Sequence, residues 1–241
     1  MQSLFHGAKE RGYAKHGWLE THHSFSFASY YDPGKMGFGA LRVINDDLIA
    51  PGAGFGDHPH DNMEIITIPL SGSLAHHDSL GNGAVIKTGE VQVMSAGTGV
   101  LHSEYNASTN EPVTLLQIWI VPNERNVTPR YEQREYVLPE NMLTEVVGEY
   151  GVAEIGIHQQ ASLSLGHCTS GQKMDYVLKH AGNGMYFFVI EGTLGIEEQI
   201  LSKRDALGVW DTDKVTLHAK SDVFLLVLEV PFTASGADAL Y

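Results

Sequence analysis

At 241 residues the chain has room for one large domain or two of ordinary size, and burial of roughly 70–75% of its extended surface needs no metal staple. Its 29 acidic against 15 basic residues give a net charge of −14 with no basic cluster to offset it, which argues against direct nucleic-acid binding. A single cysteine, Cys168, excludes an intrachain disulfide and a Cys-based zinc knuckle. No run of about 18 apolar residues and no signal-like apolar core occurs, so the expected location is the cytoplasm, away from membrane.

In chain order, Trp18, Phe25, Phe27, Tyr30 and Tyr31 make an aromatic stretch expected to pack in a core or between domains. Residues 40–44 read as a strand, and Asn45-Asp46-Asp47 as a hairpin turn after it. Residues 64–68, 91–94 and 114–120 are further strands. Ser79-Leu80-Gly81-Asn82-Gly83 reads as a turn, with residues 78–89 forming a tip between two strands. Residues 122–134 hold two prolines and mixed charge without alternation, the pattern of a connection. Beyond it, residues 161–166, 186–194 and 223–230 are strands again. Residues 66–74 and 188–194 look like one strand–Gly–strand corner used twice, a hint of internal duplication. The expected class is all-β, with two barrel halves.

The chemistry concentrates in Gly52-Ala53-Gly54-Phe55-Gly56-Asp57-His58-Pro59-His60 and in His102-Ser103-Glu104. Side chains alternate along a strand, so His58 and His60 share a face, as do His102 and Glu104. If the two strands face each other inside a small barrel, three imidazoles and one carboxylate converge. Such nitrogen and oxygen donors suit iron, copper, manganese or nickel better than magnesium, calcium or a thiolate-bound zinc. Glu64 has the same parity as the histidines and competes for the carboxylate role. Asp57 and Asp61 have the opposite parity and fit an outer position, orienting an imidazole. Phe55, beside the first histidine, is the aromatic with the best claim to a pocket wall. The adjacent pairs His22/His23 and His76/His77 point their side chains apart and make poor second sites. His158, His167, His180 and His218 have no His-x-His frame.

The order Gly52, His58, His60, Glu64 and Gly72 resembles the first motif of the cupin superfamily. Gly89, Ser95-Ala96-Gly97, His102 and Asn106 resemble the second, with Ser95 where proline is commoner and an expanded Gly97-Thr98-Gly99 turn. Arg11-Gly12-Tyr13, His16-Gly17-Trp18-Leu19, His23-Ser24-Phe25-Ser26-Phe27, Tyr30-Tyr31-Asp32-Pro33 and Leu41-Arg42-Val43 narrow the resemblance to the pirin family. So do Met63-Glu64, Ser95 to Gly99, His102-Ser103-Glu104 and Gln117-Ile118-Trp119-Ile120. The resemblance is dense from Arg11 to about Gln133 and thinner from Tyr186 to Pro231.

It implies a bicupin, two jelly-roll-like β-barrels packed together, with a metal-binding N-terminal cupin domain (1–133) and a metal-free C-terminal cupin domain (134–241). It implies the ligands His58, His60, His102 and Glu104, the carboxylate after the third histidine being preferred to Glu64. Family members carry a basic residue or glycine near position 61, so Asp61 would alter charge at the pocket mouth. The cofactor implied is one divalent transition metal, iron(II) first, with copper, manganese, nickel, cobalt or zinc accepted by the same donors.

The chain is close to the bacterial pirin-like quercetin 2,3-dioxygenases. That implies a flavonol and O2 as substrates, Glu104 as the catalytic base, and release of carbon monoxide with a depside. Two alternatives accompany it: an iron-containing, redox-responsive partner of a transcription factor or metabolic enzyme, and an oxygenase on another enolisable small molecule. The family also implies a monomer.

Overall fold

The computed structural model describes residues 1–232 and contains, among them, only strands, loops and one 3-10 turn at Ala8–Glu10. No helix among these residues is long and apolar enough to cross a membrane. The strands form two seven-stranded and two four-stranded sheets. In the first half, Leu19–His23, Leu41–Ile49, Val113–Ile120, Glu64–Ser71 and Glu90–Ser95 lie side by side in the larger sheet. Gly54–His60, Val100–Asn106, Ser73–Asp78 and Gly83–Lys87 make the smaller one. The second half repeats the plan around Asn183–Glu191 and Val223–Pro231.

Alternation along the central strands explains how the layers stack. In Val113–Ile120, Val113 and Leu115 join Leu74 and Ile86 of the smaller sheet inside the first barrel. Leu116, Ile118 and Ile120 point the other way and pack on Leu163, Phe188 and Leu226 of the second half. Phe187 and Val189 fill the second barrel, while Tyr186, Phe188 and Ile190 face the first. The unbroken apolar runs follow from this. One face fills a barrel, and the other is buried between the two large sheets.

The repeated corner is real in the structure. Gly72 and Gly192 carry positive φ values of 75° and 89°, and each passes the chain from a large sheet to a small one. A residue with a Cβ would be strained at either bend.

The two halves also exchange chain. Gln2–His6 pairs with Ala206–Trp210 in the second large sheet, and His6 Nδ1 lies 2.9 Å from the Tyr186 hydroxyl. The Arg130–Glu135 strand pairs with Glu90–Ser95, so a division after residue 133 falls inside a hydrogen-bonded strand.

Three local expectations are corrected. Asn45-Asp46-Asp47 is not a turn but the middle of the Leu41–Ile49 strand, with Asn45 and Asp47 buried. Residues 78–89 are not a plain tip, since Gly83–Lys87 is a strand paired with Ser73–Asp78. The tight turn sits at 79–82, held by the Asp78 carboxylate accepting from the Leu80 and Asn82 amides. The aromatic stretch keeps its expected packing role except at Tyr31. Phe25 packs between the halves against Tyr186, Trp18 and Phe27 go to the first barrel, and Tyr31 is exposed.

Candidate metal centre

The Val100–Asn106 strand runs between Gly54–His60 and Ser73–Asp78, so its inward residues meet side chains from both. His102 pairs with His58, but Glu104 pairs with Phe55, so one extra residue bulges out of the Gly54–His60 strand. A Cβ on Gly54 would overlap the Glu104 carbonyl oxygen, so the strands can approach this closely only with glycine there. The bulge leaves the Gly56 carbonyl unpaired in the ladder, and His58 Nδ1 donates to it at 2.8 Å. A carbonyl only accepts, so His58 keeps its lone pair on Nε2.

Donor atoms of His58, His60 and His102 lie within 4.8 Å of one another. The His102 ring is 4.3 Å from His58 and 5.0 Å from His60, centroid to centroid. His102 is buried with both ring nitrogens lacking a hydrogen-bond partner. Burial, then the neighbouring imidazoles, lowers His102 to about 3. Burial and His58 lower His60 to about 4. Both are therefore neutral, with lone pairs available, across the physiological range.

Glu104 is buried beside this trio. Its Oε2 accepts from Gln117 Nε2 at 2.7 Å, and its Oε1 has only a long 3.5 Å contact with the Thr67 hydroxyl. Burial raises its carboxyl to about 7 against the pull of those two donors. Its oxygens lie within 4.8 Å of donors on His102 and His76, a second trio that shares His102. Unpartnered imidazole nitrogens and an uncompensated carboxylate in one dry place are what a divalent cation would satisfy, so the donor set fits a metal.

His76, one of the adjacent pair expected to make a poor second site, joins the buried cluster. It stands opposite Glu104 in the ladder, wholly buried, with Nε2 3.2 Å from Asp78 Oδ2 and Nδ1 unpartnered. Its partner His77 does point outward. The alternation Leu74, His76, Asp78 was the signal for it. Asp57 and Asp61 are exposed, and the imidazole-orienting role falls to the Gly56 carbonyl instead of either acid.

Glu64 belongs to another strand and another sheet. Asn62, with φ of 46°, ends the first strand, and the parity count restarts at Glu64. Ile65 then faces the barrel, while Glu64 shares the face of Ile66, turned toward the second half, and accepts from Ser95 Oγ at 2.7 Å. It is not part of either donor trio.

A cavity of about 150 Å³ opens over His58, His60 and Glu104. Phe27, Phe55 and Trp119 form its aromatic walls, and Trp119 stands edge-on to His60 at 4.8 Å. Asn45, Asp47, Thr21 and His23 form a polar wall, hidden in the sequence by the turn-like Asn-Asp-Asp.

The pirin family profile matches residues 5–120, and a profile described as the quercetinase C-terminal cupin domain matches residues 148–230. Quercetin 2,3-dioxygenase of Escherichia coli (strain K12) is 43% identical over 224 residues, covering 93% of this chain and 96% of that one. The chain belongs to the pirin family. A pirin-like protein of Caulobacter vibrioides is 37% identical over 222 residues, covering 90% of this pirin and 95% of its relative. The crystal structure of the bacterial pirin YhhW from Escherichia coli in complex with nickel(II) superposes with a TM-score of 0.91 at 42% identity. That match covers 96% of this pirin and 100% of that chain. The fold is accordingly a bicupin. Among the described residues, donor clusters able to hold a metal occur only in the N-terminal barrel of this pirin.

Proposed function

We propose that this pirin is a metal-dependent dioxygenase that opens the central ring of a flavonol with O2 and releases carbon monoxide and a depside. The observation that carries the reading is the trio of imidazoles beside an aromatic-walled cavity that His58 and His60 line. The name borne by the Escherichia coli relative supports the same chemistry. His58, His60, His102 and Glu104 would hold the metal. Once bound, a divalent transition metal such as iron(II) supplies Lewis acidity toward the substrate alkoxide and redox access to O2.

The chain's own residues do the rest. Gln117 anchors one oxygen of Glu104 and leaves the other nearly free, so Glu104 takes the proton of the substrate hydroxyl. Phe27, Phe55 and Trp119 fix the ring plane and exclude water from it.

The cavity of about 150 Å³ also favours a second reading. That volume is about what holds one benzene-sized ring. A flavonol would enter by one ring and rest the remainder at the mouth, whereas a single-ring enolisable molecule would enter whole. Oxygen uptake with carbon monoxide detection, on ferrous-loaded protein with quercetin, tests the main reading. Stoichiometric carbon monoxide is expected, and His60→Ala should lose metal and turnover together. Turnover that persists after metal removal would sink the scheme. Full metal occupancy without turnover would favour the second substrate class.

A further inference from the structure

The polar wall opposite the aromatic one has no part in the chemistry above. It is built from cross-strand pairs on Leu19–His23 and Leu41–Ile49, with His23 opposite Asn45 and Thr21 opposite Asp47. The first pair is self-satisfied, His23 Nδ1 to Asn45 Oδ1 at 2.7 Å. The second is looser: the Thr21 hydroxyl still pulls on the Asp47 carboxyl, yet neither Thr21 Oγ1 nor Asp47 Oδ1, both buried, meets a partner at good hydrogen-bond geometry, and both residues line the cavity with His58 and His60. On its other side Asp47 is paired with Leu115, which offers it no side-chain donor.

A buried acceptor left alone is costly, and a group that donates to it recovers that cost. The adjoining wall is Leu19 and Phe55, which brings no further oxygen ligands for a cation but suits the edge of a ring. The unpartnered Asp47 oxygen, itself an acceptor, disfavours a carboxylate or phosphate ligand at this wall. The donor that fits is an uncharged aromatic hydroxyl.

We infer that Asp47 and Thr21 form a hydroxyl-recognition subsite, where Asp47 accepts a hydrogen bond from a ring O–H other than the reacting one and Thr21 makes the second contact. The inference rests on the proposed reading of the cavity as a flavonol site. It adds that the protein selects polyhydroxylated rings over singly hydroxylated ones.

The test is direct binding, read by quenching of tryptophan fluorescence (Trp119 lines the cavity), for metal-loaded wild type, Asp47→Asn and Thr21→Val. The probes are quercetin, 3-hydroxyflavone (which carries only the reacting hydroxyl) and catechol. The quercetin dissociation constant should rise about tenfold in Asp47→Asn and about threefold in Thr21→Val, with 3-hydroxyflavone shifting less than about twofold. If both flavonols bind wild type and their affinity ratio survives in both variants, the subsite is refuted and the flavonol reading stands. If neither flavonol binds but catechol does, with an Asp47-dependent loss, the flavonol reading falls and the subsite stands. If none of the three binds, both fall. Burial holds the Asp47 carboxyl up at about 7, so its neutral isostere should melt no lower than wild type, which separates lost recognition from lost fold.

Discussion

Burial acts in opposite directions on acids and bases, and this protein shows both within one barrel wall. It strips charge from His60 and His102, which leaves their lone pairs available, and it strips charge from Glu64, which sits on the outer face as a buried carboxyl. Glu64 is raised to about 7 from its ordinary 4.5. Between those values the folded state holds a proton that the unfolded chain has lost, so stability falls as pH rises through that window and stays lower above it. Glu64→Gln keeps an acceptor for Ser95 and removes the ionisation. It should stabilise the protein by about 1–3 kcal/mol at pH 8, with the gain vanishing near pH 4, in urea unfolding of the two proteins. Metal content should not change, because Glu64 faces the other half. A gain that persists at pH 4, or a loss of metal, would contradict this assignment.

At the scale of elements, the bulge in Gly54–His60 sets the site. It turns the Gly56 carbonyl toward His58 and puts Phe55, not residue 56, opposite Glu104. Gly54→Ala would press a methyl against the Glu104 backbone, which cannot yield as a flexible side chain could. The expected cost is about 1–3 kcal/mol of stability and roughly tenfold in metal affinity, measured by thermal melts and metal titration. Unchanged metal affinity would show that the close approach is dispensable. The Leu41–Ile49 strand shows the opposite relation between sequence and element. Asn-Asp-Asp has turn chemistry locally, yet pairing with Leu19–His23 and Val113–Ile120 holds it extended, because neighbours on both sides outweigh a local preference.

At the scale of the molecule, the two barrels share one apolar layer and a charged clasp. Asp46 receives Arg11 Nη1 at 3.2 Å from its own half and Arg204 Nε at 2.8 Å from the other, while the Arg11 guanidinium lies over Phe188 at 5.3 Å. Calorimetry should therefore show a single transition. Arg204→Ala should lower its midpoint, by about 2–4 °C for each kcal/mol of an expected 1–3 kcal/mol loss, without splitting it. Two separate transitions in wild type would mean that the halves unfold independently.

Some of this was present in the chain itself. Strand parity is local, so His58 with His60 and His102 with Glu104 could be paired from spacing alone, and the Gly72 and Gly192 corners disclosed the duplication. Register is not local. Which strand lies beside which, and where a turn restarts the count, are settled only when distant segments pair. That is why Glu64 proved to face outward, why His76 joined the buried cluster, and why Thr21 and Asp47 came to line the cavity. Donor chemistry was written in the residues, whereas the side of the sheet each residue faces was decided by long-range pairing and by burial between two barrels.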